Sequence, residues 1–359
     1  MTLLSKTECS ALRGFAIIGI FMHNFLHWLN PMVKENEYQF YENNVNRLMS
    51  ILSHPDQDLL WQLFSFFGHY GVPVFLFLSG YGLVMKYEGK SAKPATDRFH
   101  LSFISSHFMK LFPMMMLGFV CFAMIDWITP NRHHWAWVDI IAQITMTINL
   151  LPNPDDIIWP GPYWFFGLMM QLYIIYILLL HNKGSKWTVA LIVACWAIQA
   201  ACMYDPEGET LNRIRYNSIG GMLPFGMGIL LARWDNAASS DFCRPRLLQS
   251  SWFYLVLAIV SAAIVLCFSL NFHTWLWAPA AVVIFNVALV KCLPATCLKP
   301  LDWMGALSAA IFVCHPITRK IFIPISRGGA IADGLVIYIV ATIVLAMLFR
   351  LTISQLRKR

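Results

Sequence analysis

The sequence predicts an all-α, polytopic membrane helix bundle of about ten transmembrane helices with both termini cytoplasmic. Three observations lead there. Hydrophobic residues make up 58% of the 359-residue chain and charged ones 13%, far from the balance of a soluble domain of this length. Apolar runs of about 20 residues, enough to cross a hydrocarbon core of roughly 30 Å, recur from end to end. Lys and Arg also collect in alternate loops, as in helices threaded through a membrane. All of 1–359 reads as a single integral-membrane domain with no fused soluble domain.

The spans fall at 11–30, 60–85, 101–128, 163–181, 187–203, 217–232, 252–270, 274–292, 303–324 and 332–351. The first is long enough to cross and has no small-residue cleavage site, so it reads as a span rather than a signal peptide. One further stretch, WVDIIAQITMTINLL at 137–151, is apolar but short and carries Asp139, Gln143 and Asn149. Charge decides its place. With ten spans, the termini and the loops 86–100, 182–186, 233–251 and 293–302 share one side. That side then holds about 18 of the 26 Lys and Arg, including Lys86, Lys90, Lys93, Arg98, Lys183, Arg244, Arg246 and Lys358. Acidic and neutral loops such as 33–58 and 152–161 lie opposite. An eleventh crossing would put the basic tail outside, so 137–151 reads as a re-entrant or interfacial helix. The net charge of +7 therefore reflects topology, and no nucleic acid is expected. The nine cysteines form no CxxC pair, and neither a disulfide scaffold nor a metal framework follows from them.

Ionisable residues inside spans are costly and mark functional candidates. Arg13 either snorkels to the cytoplasmic headgroups or serves a site. His23, ten residues on, lies about 15 Å deeper, and His27 is one turn further on the same face. A membrane histidine either hydrogen-bonds between helices or carries a proton near neutral pH. The pair could also hold a metal, but Asn24 stands where a zinc protease's HExxH needs glutamate, so no metalloprotease is expected. Four other stretches stand out. HYGVPVFLFLSGYGLVMK (69–86) sets small residues around Ser79, where helices or a ligand approach closely. SSHFMKLFPMM (105–115) offers His107 and Lys110 as an anion site or as membrane anchors. PYWFFGLMMQLYIIY (162–176) buries Gln171 and Tyr173 behind Tyr163 and Trp164, which read as an interfacial belt. ALSAAIFVCHPI (306–317) places Ser308 and His315 in a late span, where Pro316 favours a local backbone irregularity.

Taken in order, these stretches resemble acyltransferase family 3, a family of integral membrane O-acyltransferases. The likeness rests on Leu12-Arg13-Gly14 with His23, VPVFLFLSGYGL at 72–83, Lys110 with Pro113, Trp164 with Gln171 and Tyr173, PFGMG at 224–228, and His315-Pro316, and it covers about 9 to 351. The resemblance implies transfer of an acyl group, often acetyl, from cytoplasmic acyl-coenzyme A to a hydroxyl of a carbohydrate or cell-surface glycan. It implies a multi-pass protein of the plasma (bacterial inner) membrane and no metal cofactor. On that pattern His23 is the catalytic residue, and Arg13, His107, Lys110 and Ser79 bind the donor. His27, Trp164, Gln171, Tyr173 and His315 contact the acceptor or supply hydrogen bonds. With no fused extracytoplasmic domain, either this chain acylates the acceptor or a partner enzyme completes the transfer. Three features depart from the family: nine rather than ten residues separate Arg13 and His23, His107 and Lys110 replace an arginine pair, and Met169 stands where a glutamate is common. A transporter or flippase, or a non-catalytic protein of the same fold, are the alternatives.

Overall fold

The computed structural model describes residues 3–88, 97–241, 248 and 250–356. Lys90, Lys93, Arg244, Arg246 and Lys358, counted above toward the basic side, lie outside them. Among the described residues there is helix and loop but no strand. Helix α1 (Lys6–Leu26) leads by a loop to α2 (Glu42–Ser53), α3 (Leu59–Phe67) and α4 (Gly71–Tyr87). A single 3₁₀ turn at Gly68–Tyr70 joins α3 to α4. Next come α5 (Asp97–Ile128), the short α6 (Trp137–Ile144) and α7 (Pro154–Ile157), and α8 (Trp164–Ile175). They are followed by α9 (Ser185–Ala200), α10 (Glu209–Arg215), α11 (Ser218–Asp241), α12 (Ser251–Phe268), α13 (Phe272–Trp275) and α14 (Ala278–Cys292). A long pair, α15 (Ala295–Arg327) and α16 (Ile331–Leu356), closes the chain.

Each predicted span lies largely in helix. Among the described residues, seven segments are long and apolar enough to cross a membrane: α1, α3 with α4, α5, Gly161–Leu180, α12, α15 and α16, while α9 and α14 are shorter apolar helices. The 137–151 stretch does not form a spanning helix. Its α6 has 8 residues, about 12 Å of rise, and then turns at Thr145. Gln143 and Asn149 are buried, while Asp139 is half-buried and Thr145 and Thr147 are exposed. Asn149 Nδ2 donates to the carbonyls of Trp164 (2.8 Å) and Tyr216 (2.6 Å). That anchors the segment to α8 and to the α10–α11 junction.

Local sequence explains how the helices begin and pack. Ser5 and Glu8 form a reciprocal capping box at the start of α1, which satisfies two amides that would otherwise lack partners and contributes about 1 kcal/mol. Where α4 crosses α11, a side chain at Gly80 would collide with the Phe225 carbonyl, and one at Gly228 with the Phe77 carbonyl. Gly80 and Gly228 thus serve one close helix crossing, held by dispersion because lipid tails give helices no hydrophobic drive to associate, while Gly226 packs on Ile192 of α9. Contrary to the expected irregularity, α15 continues as helix through Pro316. The proline lacks an N–H, so the Phe312 carbonyl loses its helical donor without ending the helix.

Polar contacts gather the helix ends at two faces. At the N-terminal face, Asp235 of α11 accepts from the Leu3 amide and the Tyr81 hydroxyl, and Lys291 of α14 pairs with Glu8 at 2.8 Å. At the opposite face, Asp126 near the end of α5 pairs with Lys320 of α15 at 2.8 Å. Helix α16 enters from that opposite face, its Tyr338 hydroxyl donating to the Phe21 carbonyl late in α1 (2.7 Å).

Candidate active site

The last turn of α1 carries the site. His23 is 2% exposed, because its face of α1 packs on the turn between α3 and α4. A Cβ at Gly68 would strike the backbone of Gly19 and the Cβ of His23, so only glycine permits that approach. His23 Nδ1 lies 2.7 Å from the Ser65 carbonyl. A carbonyl only accepts, so Nδ1 carries the proton and Nε2 keeps its lone pair. Nε2 stands 3.6 Å from Glu35 Oε1. His27, one turn on, donates from Nδ1 to the same carboxylate at 3.1 Å. The 62–65 helix face secures the loop bearing Glu35: the Ser65 hydroxyl donates to the Val33 carbonyl (2.6 Å), and the Val33 amide donates to Gln62 (2.8 Å). Burial by itself would raise the Glu35 carboxyl, but the adjacent imidazoles of His27 and His23 hold it well below the usual range. Two residues away, burial and the charge of Glu35 push Glu37 up to about 8.

These groups open into a cavity of about 290 Å³ at the face opposite the N-terminus. Its walls include the rings of Trp28, Tyr38, Trp159, Trp164 and Tyr216. Tyr38 stacks on Tyr216 with centroids 3.8 Å apart, and Asp155 accepts from the Tyr216 hydroxyl at 2.7 Å. Arg319 reaches in from α15, donating to the Asn24 carbonyl at 3.2 Å with its guanidinium 5.2 Å from the Trp28 ring. A second, mostly apolar cavity of about 580 Å³ runs toward the N-terminal face, with Lys110, Ser308, Arg350 and Ser354 among its lining. The two cavities share three wall residues, Ile20, Val72 and Phe312.

Of the residues singled out in the sequence, the structure brings His23, His27 and Trp164 to the first cavity and Lys110 to the second. Trp164 and Tyr163 do not form an interfacial belt. Both are buried, and the Tyr163 hydroxyl donates to the Val313 carbonyl (2.9 Å) because α8 packs against α15. Ser79, Tyr173 and His107 meet elsewhere. The Ser79 hydroxyl, beside Tyr173, donates to the Phe75 carbonyl (2.8 Å), and His107 donates to the Phe103 carbonyl with its ring 4.0 Å from Phe103 and 4.6 Å from Tyr173. Gln171 clamps α8 to α11, donating to Asn217 (2.6 Å) and accepting from the Ser218 amide (2.9 Å). His315 is fully buried one turn before Arg319, donating to the Ile311 carbonyl at 3.1 Å, and lines neither cavity. Arg13 lines neither cavity as well: ten steps of 100° leave it roughly 80° off the His23 face.

The sequence reading missed Glu35, Glu37, His69, Asp155 and Arg319. Glu35 and Glu37 belong to a loop read only as acidic and extracytoplasmic, and their approach to α1 is a tertiary event. Arg319 did leave a signal, standing four residues after His315 on a buried helix face. Among the described residues, His23, His27 and Glu35 form a group whose ligand atoms all lie within 4.8 Å of one another.

A helical bundle with several segments long and apolar enough to cross a membrane, burying an imidazole beside a carboxylate at a cavity, defines a multi-pass membrane protein. The particular kind follows from comparison: the chain belongs to an acyltransferase family, whose model, described as an acyltransferase domain, matches residues 9–351. No curated protein and no solved structure gives a match.

Proposed function

We propose that the protein is a membrane-bound O-acyltransferase that moves an acyl group, acetyl in the simplest case, from cytoplasmic acyl-coenzyme A to a hydroxyl of a carbohydrate or cell-surface glycan. The observation that carries this reading is His23: Nδ1–H tied to the Ser65 carbonyl, Nε2 free and facing the cavity beside Glu35. The acceptor hydroxyl gives its proton to Nε2 as its oxygen attacks the thioester carbonyl. Glu35 stabilises the imidazolium so formed. The C–S bond then breaks, and the thiolate leaves with that proton. The ringed walls of the first cavity suit the C–H faces of a sugar, and its carboxylates suit the hydroxyls. Arg319 lies within reach of the developing oxyanion.

The second cavity suits the donor. Its hydrocarbon walls fit a pantetheine arm, and Lys110 and Arg350 supply cations for phosphates. On this reading the chain crosses the bacterial inner membrane ten times with both termini cytoplasmic, so donor and acceptor approach from opposite sides. The test is release of coenzyme A from radiolabelled acetyl-coenzyme A by purified protein, supplied with membrane extract as acceptor. Release by wild type that is lost in His23→Ala supports the reading. Absence of release with acetyl and longer donors sinks it in favour of a transporter.

A further inference from the structure

We propose that His23, His27 and Glu35 form a zinc site, and that zinc bound there inhibits transfer by taking the Nε2 lone pair of His23. The inhibition rests on the acyltransferase reading; the metal site does not. Zinc ligands at about 2.0–2.1 Å in a tetrahedron stand about 3.3 Å apart. Glu35 Oε1 lies 3.6 Å from His23 Nε2 and 3.1 Å from His27 Nδ1, close to that edge length. The two rings, one turn apart, have centroids 4.4 Å from each other. A bound ion therefore needs only small side-chain shifts.

The surroundings are also those of a metal site. The Ser65 carbonyl holds His23 in the tautomer that presents Nε2, the usual second-layer partner of a ligating histidine. His27 must move its proton from Nδ1 to Nε2, an atom with no hydrogen-bond partner, so binding requires a tautomer change but releases no proton. Two imidazoles and one carboxylate favour zinc over magnesium or calcium, which prefer all-oxygen shells. Asp155 adds negative charge to the cavity, while Arg319 opposes it. Three protein ligands with the fourth position open to the cavity make an exchangeable site rather than a closed structural one.

Tag-free protein titrated with cobalt(II) should show one equivalent of visible absorption characteristic of four-coordination, displaced by zinc. Glu35→Gln and His27→Gln should each weaken that binding at least tenfold while eluting and melting like wild type. Zinc should inhibit coenzyme A release by wild type, and the inhibiting concentration should rise at least tenfold in His27→Gln. Normal release with no saturable cobalt absorption overturns the site and leaves the acyltransferase standing. Cobalt binding in a protein that never releases coenzyme A upholds the site and removes the acyltransferase. Zinc that activates, or inhibits His27→Gln equally, overturns the inhibitory role.

Discussion

Two buried histidines sit on α1 and α5, and the contrast between them shows how such residues are to be judged. His23 and His107 are buried to a similar degree, and each donates from Nδ1 to a main-chain carbonyl. Beyond that they part. The ring of His23 ends at a cavity, with a carboxylate 3.6 Å from its second nitrogen. The ring of His107 lies against Phe103 and Tyr173, within the packing between α5 and α8. Burial and a hydrogen bond are common to both. At His23 the second nitrogen faces a cavity and a carboxylate, which places that ring to exchange a proton.

The sharpest way to break this contrast is His23→Ala, which should lower coenzyme A release by about 100- to 10,000-fold, the range for loss of a general base. Retained turnover would end the distinction. Glu35→Gln keeps the shape but not the charge that steadies the imidazolium, and should cost about tenfold to a hundredfold in kcat with little change in acceptor KM. Lys110→Ala and Arg350→Ala test the second cavity. Each should raise the KM for acetyl-coenzyme A about tenfold, as loss of one phosphate contact does, and leave kcat largely intact. The smallest effect belongs to His107→Phe. An aromatic of similar volume should keep the melting temperature within a few degrees, consistent with a cost under about 1.5 kcal/mol, and change turnover by less than about threefold. A large loss at His107 would show that its ring does chemistry from within the packing.

The sequence shows best what depends on local composition. Apolar length located ten stretches that lie largely in helix, seven of them within segments long and apolar enough to cross a membrane, and 137–151, set aside on loop charge, forms an α6 of only eight residues. The pair His23 and His27 was legible from its spacing alone. SGYG was legible as a small-residue patch, but the close crossing of Gly80 on α4 with Gly228 on α11 was not. Less visible was anything made by the chain returning on itself. Glu35 reaches His23 through a loop whose fold is fixed by Ser65 and Gln62, and no periodicity encodes that return. Trp164 misled for a related reason. A tryptophan at a span's end satisfies the rule for membrane interfaces, yet here a neighbouring loop covers it and turns it into cavity wall.

Ile20, Val72 and Phe312, the residues common to both cavities, have an electrical consequence. A membrane of normal thickness spreads its voltage over about 30 Å of hydrocarbon. Where aqueous spaces enter from both sides, most of the drop is concentrated in the thin partition between them. A unit charge carried across that partition would gain or lose about 2.3 kcal/mol per 100 mV. The proposed transfer sends a neutral acyl group past these three side chains toward His23. A living cell's membrane potential would then bear on the ionic events at either side while leaving the passage of the acyl group itself almost untouched.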